Sequence, residues 1–553
     1  MPRSRKLLFV GALLLPLVAG GFLLQSRGAK SGEMLLDQVL SLVTDRFVDT
    51  IPSADVYERA ARGLVKELND PYSELLAPKD VKAFNNRTGG RYGGLGMLIE
   101  QRPDKSIAVV TVYPNTPAEA GGIREGDRII MVDTLSTAGW NISQVSDFLT
   151  GTPGTKVNAT FARAGVATPI KSTFTRAIIH VPAIPFTLLL GPDPSCATPA
   201  AKASVCKVGY IPLQAFNENA ADNLLTALKD LRQQGVKGFV IDERGNPGGI
   251  LDQSLSIANM FLQEGQEIAS MKGRDASQEQ HFKAKGAPVS ATQPLIVLTN
   301  DNTASASEIV AGALQDHDRA LVLGQTSFGK GLVQSVYTLD GGYALKITTA
   351  KWFTPSGRSI QRPRKFVNGQ FIEDMPDSNE TETSKKARPA FKSDAGRTVF
   401  GGGGITPDVI VQEDTFTTSE QQLARALAPK GQEVRTVIDD YATQLAKTVT
   451  PTYTVQPAWL DDVFKRFQSA NIPVDRKQFD AGSRYVSQFL DARIAHFAFG
   501  DSTAKRRRLQ DDAPLRRAVA LIDRASTQRD LFAAAGEPLM ATQPSKPAVT
   551  KKP

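Results

Sequence analysis

Two short segments carry side chains whose types and spacing could do covalent chemistry. The first is Thr303-Ala304-Ser305-Ala306-Ser307-Glu308-Ile309, which follows the polar turn Asn300-Asp301-Asn302. The apolar run 295–299 before it has the length of a buried strand, and Ile309, Ala313 and Leu314 after it share one helical face. A hydroxyl at a strand-to-helix turn lies beside backbone N–H groups without intrahelical partners, and such groups can stabilise an oxyanion. Small Ala304 and Ala306 leave room for a substrate carbonyl. A serine or threonine at that position also serves as a plain helix N-cap, so Ser305 and Thr303 taken alone fit either role.

The second segment is Gly324-Gln325-Thr326-Ser327-Phe328-Gly329-Lys330-Gly331. Lys330 stands between two glycines and beside apolar Phe328, Leu332 and Val333, so burial is expected. A lysine that loses hydration is more easily neutral, and a neutral amine can act as general base towards a serine hydroxyl. Gln334 follows at a spacing that could orient the amine. A phosphate-binding Gly-Lys loop would end in Ser or Thr, and here Gly331 stands there instead. The four histidines, His180, His281, His317 and His496, show no triad-like setting. His317, in Asp316-His317-Asp318, is expected to cap the C-terminus of the helix that opens near Ser305. A third segment, Glu243-Arg244-Gly245-Asn246-Pro247-Gly248-Gly249, ends an apparent buried strand (238–242). It offers backbone N–H groups at a strand's carboxyl end, where α/β sheets bind ligands; an ordinary turn accounts for it equally well.

The surrounding elements must position these groups. Between 178 and 408 strands and helices alternate, which argues for an α/β layered core. Strands are expected at 208–211, 238–242, 295–299 and 321–323, with helices at 220–234, 251–262 and about 304–315. A hairpin is expected at 335–339 and 343–349 across Asp340-Gly341-Gly342. Residues 89–176 break into short β-rich runs with two helical pieces, a compact module. Residues 32–78 and 413–529 read as helical, 377–393 as a mobile polar loop, and 538–553 as a Pro/Lys-rich tail. No internal repeat is present.

Bulk properties narrow the class. The chain has 553 residues, 41% of them hydrophobic, and a net charge of +8 from 65 basic and 57 acidic residues. That mild excess, without a nucleic-acid motif, argues against a DNA or RNA partner. Arg3, Arg5 and Lys6 precede an apolar run from Leu7 to Leu24, the pattern of an export signal that is also near the minimum length of a membrane span. Without a clear cleavage site an uncleaved anchor is expected, with the rest of the chain outside the cytoplasm. In that compartment the two cysteines, Cys196 and Cys206, are expected to close a local disulfide. The basic run Lys505–Arg508 reads as a solvated helix face.

The motifs together resemble the carboxyl-terminal processing proteases (tail-specific proteases, peptidase family S41) with a PDZ domain. The resemblance rests on 303–309, Phe328-Gly329-Lys330-Gly331 and Gln334, Asn69-Asp70-Pro71-Tyr72-Ser73, Gly93-Gly94-Leu95-Gly96, 117–121 with Gly126-Asp127, 352–358, and Gly403-Ile405-Pro407-Asp408. It covers about 33–412. The 25-residue gap between Ser305 and Lys330 fits the family. Thr303 departs from the usual serine, and Glu243-Arg244-Gly245-Asn246 from the usual Leu-Arg-Asn-Asn.

The resemblance implies a multidomain α+β and α/β protein. Its expected parts are a signal peptide or anchor (1–30), a helical N-terminal segment (31–86), an inserted PDZ domain (87–177), a Ser–Lys protease core (178–412), a helical C-terminal extension (413–535) and a tail (536–553). It implies a serine endopeptidase of the bacterial periplasm or cell envelope that recognises substrate tails through the PDZ domain. Ser305 would be nucleophile, Lys330 base and Gln334 its orienter. Ala306 with Gly248 or Gly249 would form the oxyanion hole, and Gly93, Gly94, Leu95 and Gly96 would bind the tail carboxylate. No cofactor or metal is implied. Expected partners are protein substrates with apolar C-terminal tails, the membrane through 7–24, and an activator, an adaptor or a second copy of the chain. A non-catalytic PDZ-bearing binding or scaffold protein on the same fold is the alternative.

Overall fold

The structure, a computed structural model, describes residues 32–536 apart from 103–104, 164–165, 199–200, 203, 276, 278, 368–369, 374–381 and 415. The described residues form two compact units. The smaller holds 32–81, Gln334–Thr348 and 370–371. The larger holds Lys82–Val333, Thr349–Val367 and the described residues from Ile372 onward.

In the larger unit a six-stranded sheet runs β1 (Leu188–Leu190), β2 (Val208–Pro212), β3 (Gly238–Asp242), β4 (Leu295–Thr299), β5 (Leu321–Gly324) and β6 (Val409–Ile410), in that spatial order. β1 is antiparallel to β2 and every other neighbour pair is parallel. Strands covered on both faces read as continuous apolar runs, as β3 and β4 do. Alternate residues then serve opposite layers. Phe239, Ile241, Leu295 and Val297 join a core that includes α1 (Ala220–Gln233), α2 (Leu251–Asn259) and α3 (Ala306–Asp316). Val240, Ile296 and Leu298 face the other way, against Leu515, Ala518, Leu521 and Ile522 of α4 (Ala513–Arg524) and Phe532 of Gln528–Ala535. This sheet is therefore roofed by helices about a hundred residues beyond 412. Truncating a fully buried Ile such as Ile522 to Ala would cost about 2–5 kcal/mol. The intervening helices, from Thr418–Leu427 to Ser483–Phe499, build a separate core around Leu423, Ile438, Phe467, Phe479 and Leu490.

The β-rich module is a six-stranded antiparallel sheet with helices Pro117–Ala120 and Ile142–Leu149 and its own core of Ile107, Val109, Val132, Val145, Phe161 and Phe174. Its entry and exit are joined, because Arg91–Gly94 pairs with Ala177–His180.

In the smaller unit a helix over 32–46 is followed by Ser53–Lys66. The chain then turns to strand at Glu74–Leu76, paired with Ala344–Lys346, where the sequence reading had only helix. The stretch 377–393 also departs from the mobile loop expected of it. Its described part contains helix Glu382–Lys386 and strand Ala390–Lys392, which pairs with Thr398–Phe400, and the Lys385 ammonium donates to the Asp408 carbonyl at 3.0 Å. No helix among the described residues is long and apolar enough to cross a membrane; the run Leu7–Leu24 lies outside them.

Candidate active site

Ser305 stands between β4 and α3 with φ +58° and ψ −112°. A positive φ is strained for any residue with a Cβ and persists only where the surroundings enforce it. Here they do. The Ala304 N–H donates to the Asn246 carbonyl at 3.0 Å, and the Ser307 hydroxyl donates to the same carbonyl at 3.1 Å. The Thr303 hydroxyl donates to the Glu243 carbonyl at 2.9 Å. The loop after β3 is thus laced to the serine loop after β4. Asn246, fully buried, completes the lacing by donating to the Leu213 carbonyl at 2.7 Å.

Gly248 explains why that loop is glycine-rich. It has φ +90°, and a Cβ there would stand 2.6 Å from the Ala304 oxygen, 2.8 Å from the Ala306 nitrogen and 2.9 Å from the Ser305 Cβ. Only a bare backbone fits against the serine turn. The Gly248 N–H itself donates to Asn246 Oδ1 at 3.0 Å. Of the two glycines considered as oxyanion donors, Gly248 is thus the one already engaged. Gly249 instead forms a short parallel bridge with Phe216, whose N–H donates to the Gly248 carbonyl at 3.1 Å and whose carbonyl accepts from the Ile250 N–H at 2.8 Å.

The lysine loop is held from the same side. Glu308, on the first turn of α3 and fully buried, accepts four hydrogen bonds. They come from the N–H of Ser305 (2.7 Å), the hydroxyl of Ser327 (2.5 Å), the N–H of Gly329 (2.7 Å) and the N–H of Lys330 (2.9 Å). Burial pushes its pKa up while these donors pull it down. The Lys330 carbonyl accepts from Trp352 Nε1 at 3.1 Å. Lys330 is half-buried, between buried Gly329 and Gly331. Arg358, fully buried, pairs with Asp316 at 2.6 Å and donates to Gln315 Oε1 at 2.7 Å, fixing the far end of α3. His317 is the C-cap of α3. Its Nδ1 meets Asp394 and its Nε2 meets the Glu267 carbonyl, each at 2.6 Å, and although burial opposes it, these acceptors hold its pKa up.

Gln334 belongs to the smaller unit. Its amide donates to the Thr348 hydroxyl at 3.3 Å. Thr348 donates in turn to Asp70 Oδ2 at 2.5 Å, which also accepts from the Ser73 hydroxyl at 2.6 Å. The sequence reading quoted Asp70, Ser73 and Glu308 within motifs but gave them no task.

In the β-rich module the turn Gly93-Gly94-Leu95-Gly96 leads into strand Met97–Gln101, with Leu95 buried and Gly96 at φ +85°. Cys196 and Cys206 form a disulfide in the core that packs on β2. Among the described residues no group of three or more His, Cys, Asp or Glu could hold a metal ion.

Residues 207–365 match peptidase family S41, and residues 109–163 match a PDZ domain. The chain is 36% identical over 327 residues to a carboxy-terminal-processing protease of Bartonella bacilliformis, covering 58% of this chain and 71% of that one. It is 31% identical over 388 residues to the carboxy-terminal processing protease CtpA of Bacillus subtilis, covering 68% and 79%. Among solved structures it is similar to a photosystem II D1 C-terminal processing protease, at 30% identity, with 61% of this chain and 84% of that chain covered and a TM-score of 0.35.

Proposed function

Because the chain belongs to the carboxy-terminal processing proteases of peptidase family S41, and is accordingly a serine endopeptidase, we propose that Ser305 and Lys330 carry its chemistry as nucleophile and general base. One observation carries this reading. Glu308 ties the Ser305 backbone to the Lys330 backbone, while Ser305 sits in a strained strand-to-helix turn. A strained turn presents a serine hydroxyl to a substrate above the carboxyl ends of the strands, as in other α/β hydrolytic sites.

Neutral Lys330 takes the proton from Ser305 Oγ as that oxygen attacks the scissile carbonyl. The protonated lysine then gives its proton to the departing amine, leaving an acyl-enzyme. A water, deprotonated by the same lysine, attacks the ester and releases the new C-terminus. The Ala306 and Gly249 N–H groups stabilise the oxyanion, each such donor being worth about 3 kcal/mol of barrier. Gln334, held through Thr348, orients the amine. The PDZ module adds the substrate tail as a strand along Met97–Gln101 and takes its terminal carboxylate on N–H groups after Gly94. Substrates are exported proteins with apolar tails, and the buried disulfide suits an oxidising compartment of the bacterial envelope.

The test is cleavage of an unfolded reporter protein ending in Leu-Ala-Ala by the full chain, by Ser305→Ala and by Lys330→Ala. Cleavage by the wild type alone is expected. Cleavage by either variant at the wild-type rate would reject these roles.

A further inference from the structure

The β-rich module is joined to the glycine loop through its stem, the paired strands Arg91–Gly94 and Ala177–His180. Just beyond them the Val181 N–H donates to the Gly90 carbonyl at 2.8 Å, so the entering and leaving chains stay together to the end of the stem. Both chains then grip one short segment after β2, residues 213–218. The Gln214 N–H donates to the Ala183 carbonyl at 2.9 Å, and the Glu218 N–H to the Thr88 carbonyl at 3.2 Å. Asn217, 4% exposed, donates its side-chain amide to the Val181 carbonyl at 2.9 Å. Gly90, at φ +60°, lies so close to that amide that a Cβ would stand 2.3 Å from Asn217 Nδ2.

The same segment also carries the glycine loop. The Leu213 carbonyl holds the buried Asn246 amide. Phe216, itself buried, uses both of its backbone groups on the residues that flank Gly249. In a parallel bridge of this kind the middle residue turns its own N–H away from the partner. Gly249 therefore directs its N–H away from Phe216. A Cβ on Gly249 would stand 2.3 Å from the Phe216 oxygen, so only bare backbone fits there and the two chains cannot shift independently.

We propose that Asn217 is a positioning residue of the oxyanion hole: by clamping the stem of the β-rich module to the segment that carries Phe216, it fixes where the Gly249 N–H stands. The inference rests on the reading of Ser305 as nucleophile and Gly249 as oxyanion donor. Asn217 also has a plain structural task, because its Oδ1 accepts from the Asn219 N–H at 3.1 Å just ahead of α1. The two tasks use different atoms: Oδ1 supports the helix start, and Nδ2 holds the stem. Misplacing a group at the reacting centre by about 1 Å can cost roughly a hundredfold in rate. A clamp that never touches the substrate can therefore govern kcat. Without the amide bond to Val181, the segment relaxes away from the stem and carries the flanks of Gly249 with it.

The experiment compares the full chain with Asn217→Ala, Asn217→Asp and Ser305→Ala at pH 8. It measures reporter cleavage and the inhibition constant of acetyl-Leu-Ala-alaninal, a peptide aldehyde; for Ser305→Ala the aldehyde's affinity is read directly by calorimetry. A serine hydroxyl adds to such an aldehyde to give a hemiacetal whose oxygen lies in the oxyanion hole, so its affinity reports that hole. Aspartate keeps the acceptor for the Asn219 N–H and suits a helix N-terminus, but as a carboxylate it cannot donate to Val181. It carries the test even where loss of the helix support unfolds the Ala variant. The Asp variant is expected to lose at least about tenfold in kcat with KM unchanged, and to bind the aldehyde more weakly by the same factor. Wild-type kcat in the Asp variant would leave Asn217 a mere support of α1 and overturn the proposal. A fall in kcat with undiminished aldehyde affinity would also overturn it, because the loss would not run through the oxyanion donor. Aldehyde binding that needs Ser305 but ignores Asn217 rejects the positioning role alone. Binding as tight to Ser305→Ala as to the wild type rejects the reading of Ser305, and the positioning role with it.

Discussion

One carboxylate oxygen, Oε2 of Glu308, accepts from the backbone N–H of Ser305 at 2.7 Å and from that of Lys330 at 2.9 Å. The two residues proposed to exchange a proton are thus indexed to a single buried atom, although they lie on loops after different strands. The other oxygen takes the Ser327 hydroxyl and the Gly329 N–H. Every partner is a donor, so a group with acceptors only suits the position, and a carboxylate is such a group.

Glu308→Gln should therefore be far from conservative. Whichever way the amide turns, its NH2 faces two donors that then lose their acceptor. Buried donors left unmet cost about 1–3 kcal/mol each. We expect a stability loss of about 2–4 kcal/mol in denaturant titration and at least a roughly hundredfold fall in reporter cleavage. Retained wild-type cleavage would mean that the two loops keep their alignment without the clamp.

Gly248→Ala tests the approach of the glycine loop to the serine turn. The added Cβ would meet the Ala304 oxygen at 2.6 Å and the Ala306 nitrogen at 2.8 Å, at a φ of +90°. Both neighbours are backbone and cannot swing aside. The turn must move, and loss of one oxyanion donor alone typically costs about 10²–10³ in kcat. Reporter kinetics should show that fall in kcat with little change in the PDZ-bound tail affinity. A variant with unchanged kcat would remove Ala306 from the oxyanion hole.

These relationships also show what could be read from the residues alone. Ser305, Lys330 and the strands beside them were legible because reactive side chains flanked by small residues, and apolar runs of fixed length, carry local signals. The task of Glu308 was not legible. Its partners Ser327, Gly329 and Lys330 come from the next loop but one, and only the parallel pairing of β4 with β5 brings them over α3. The same holds for α4. Its apolar face is plain in Leu515, Ala518 and Ile522, but nothing local says that the surface it covers is β3 and β4. The stretch 377–393 was misread for a related reason. Its polarity suggested a loop, whereas the Lys385–Asp408 bond and the pairing of Ala390–Lys392 with Thr398–Phe400 supply long-range partners that composition does not reveal.

Asp70 is expected to act at a distance. It holds Thr348, and Thr348 accepts from the amide of Gln334. Asp70→Ala frees Thr348 to rotate and leaves Gln334 without a fixed partner. If Gln334 orients the base, kcat should fall about tenfold with KM unchanged, a loss of about 1.4 kcal/mol in the transition state alone. Gln334→Ala should lower kcat similarly, and the double variant should be no worse than either single one, because neighbours in one chain of hydrogen bonds are not additive. Additive losses would separate the two residues.

Glu243 supplies a pH signature. It follows β3, is fully buried, and neither carboxylate oxygen has a hydrogen-bond partner among the described residues. Burial first, then the neighbouring charges of Asp242 and Glu308, push its pKa well above the usual carboxylate range. The folded chain therefore keeps this proton where the unfolded chain has lost it. Stability on this account is greatest below the unfolded pKa near 4.5 and declines as pH rises towards the folded value, with a slope of up to about 1.4 kcal/mol per pH unit. Glu243→Gln has the same shape and no proton to lose, so its advantage over the wild type should widen with pH across that window. Denaturant titrations of both proteins from pH 4 to 8 would show diverging curves. Parallel curves would mean that Glu243 ionises in the folded protein as freely as in the unfolded one, with an unseen partner meeting its charge.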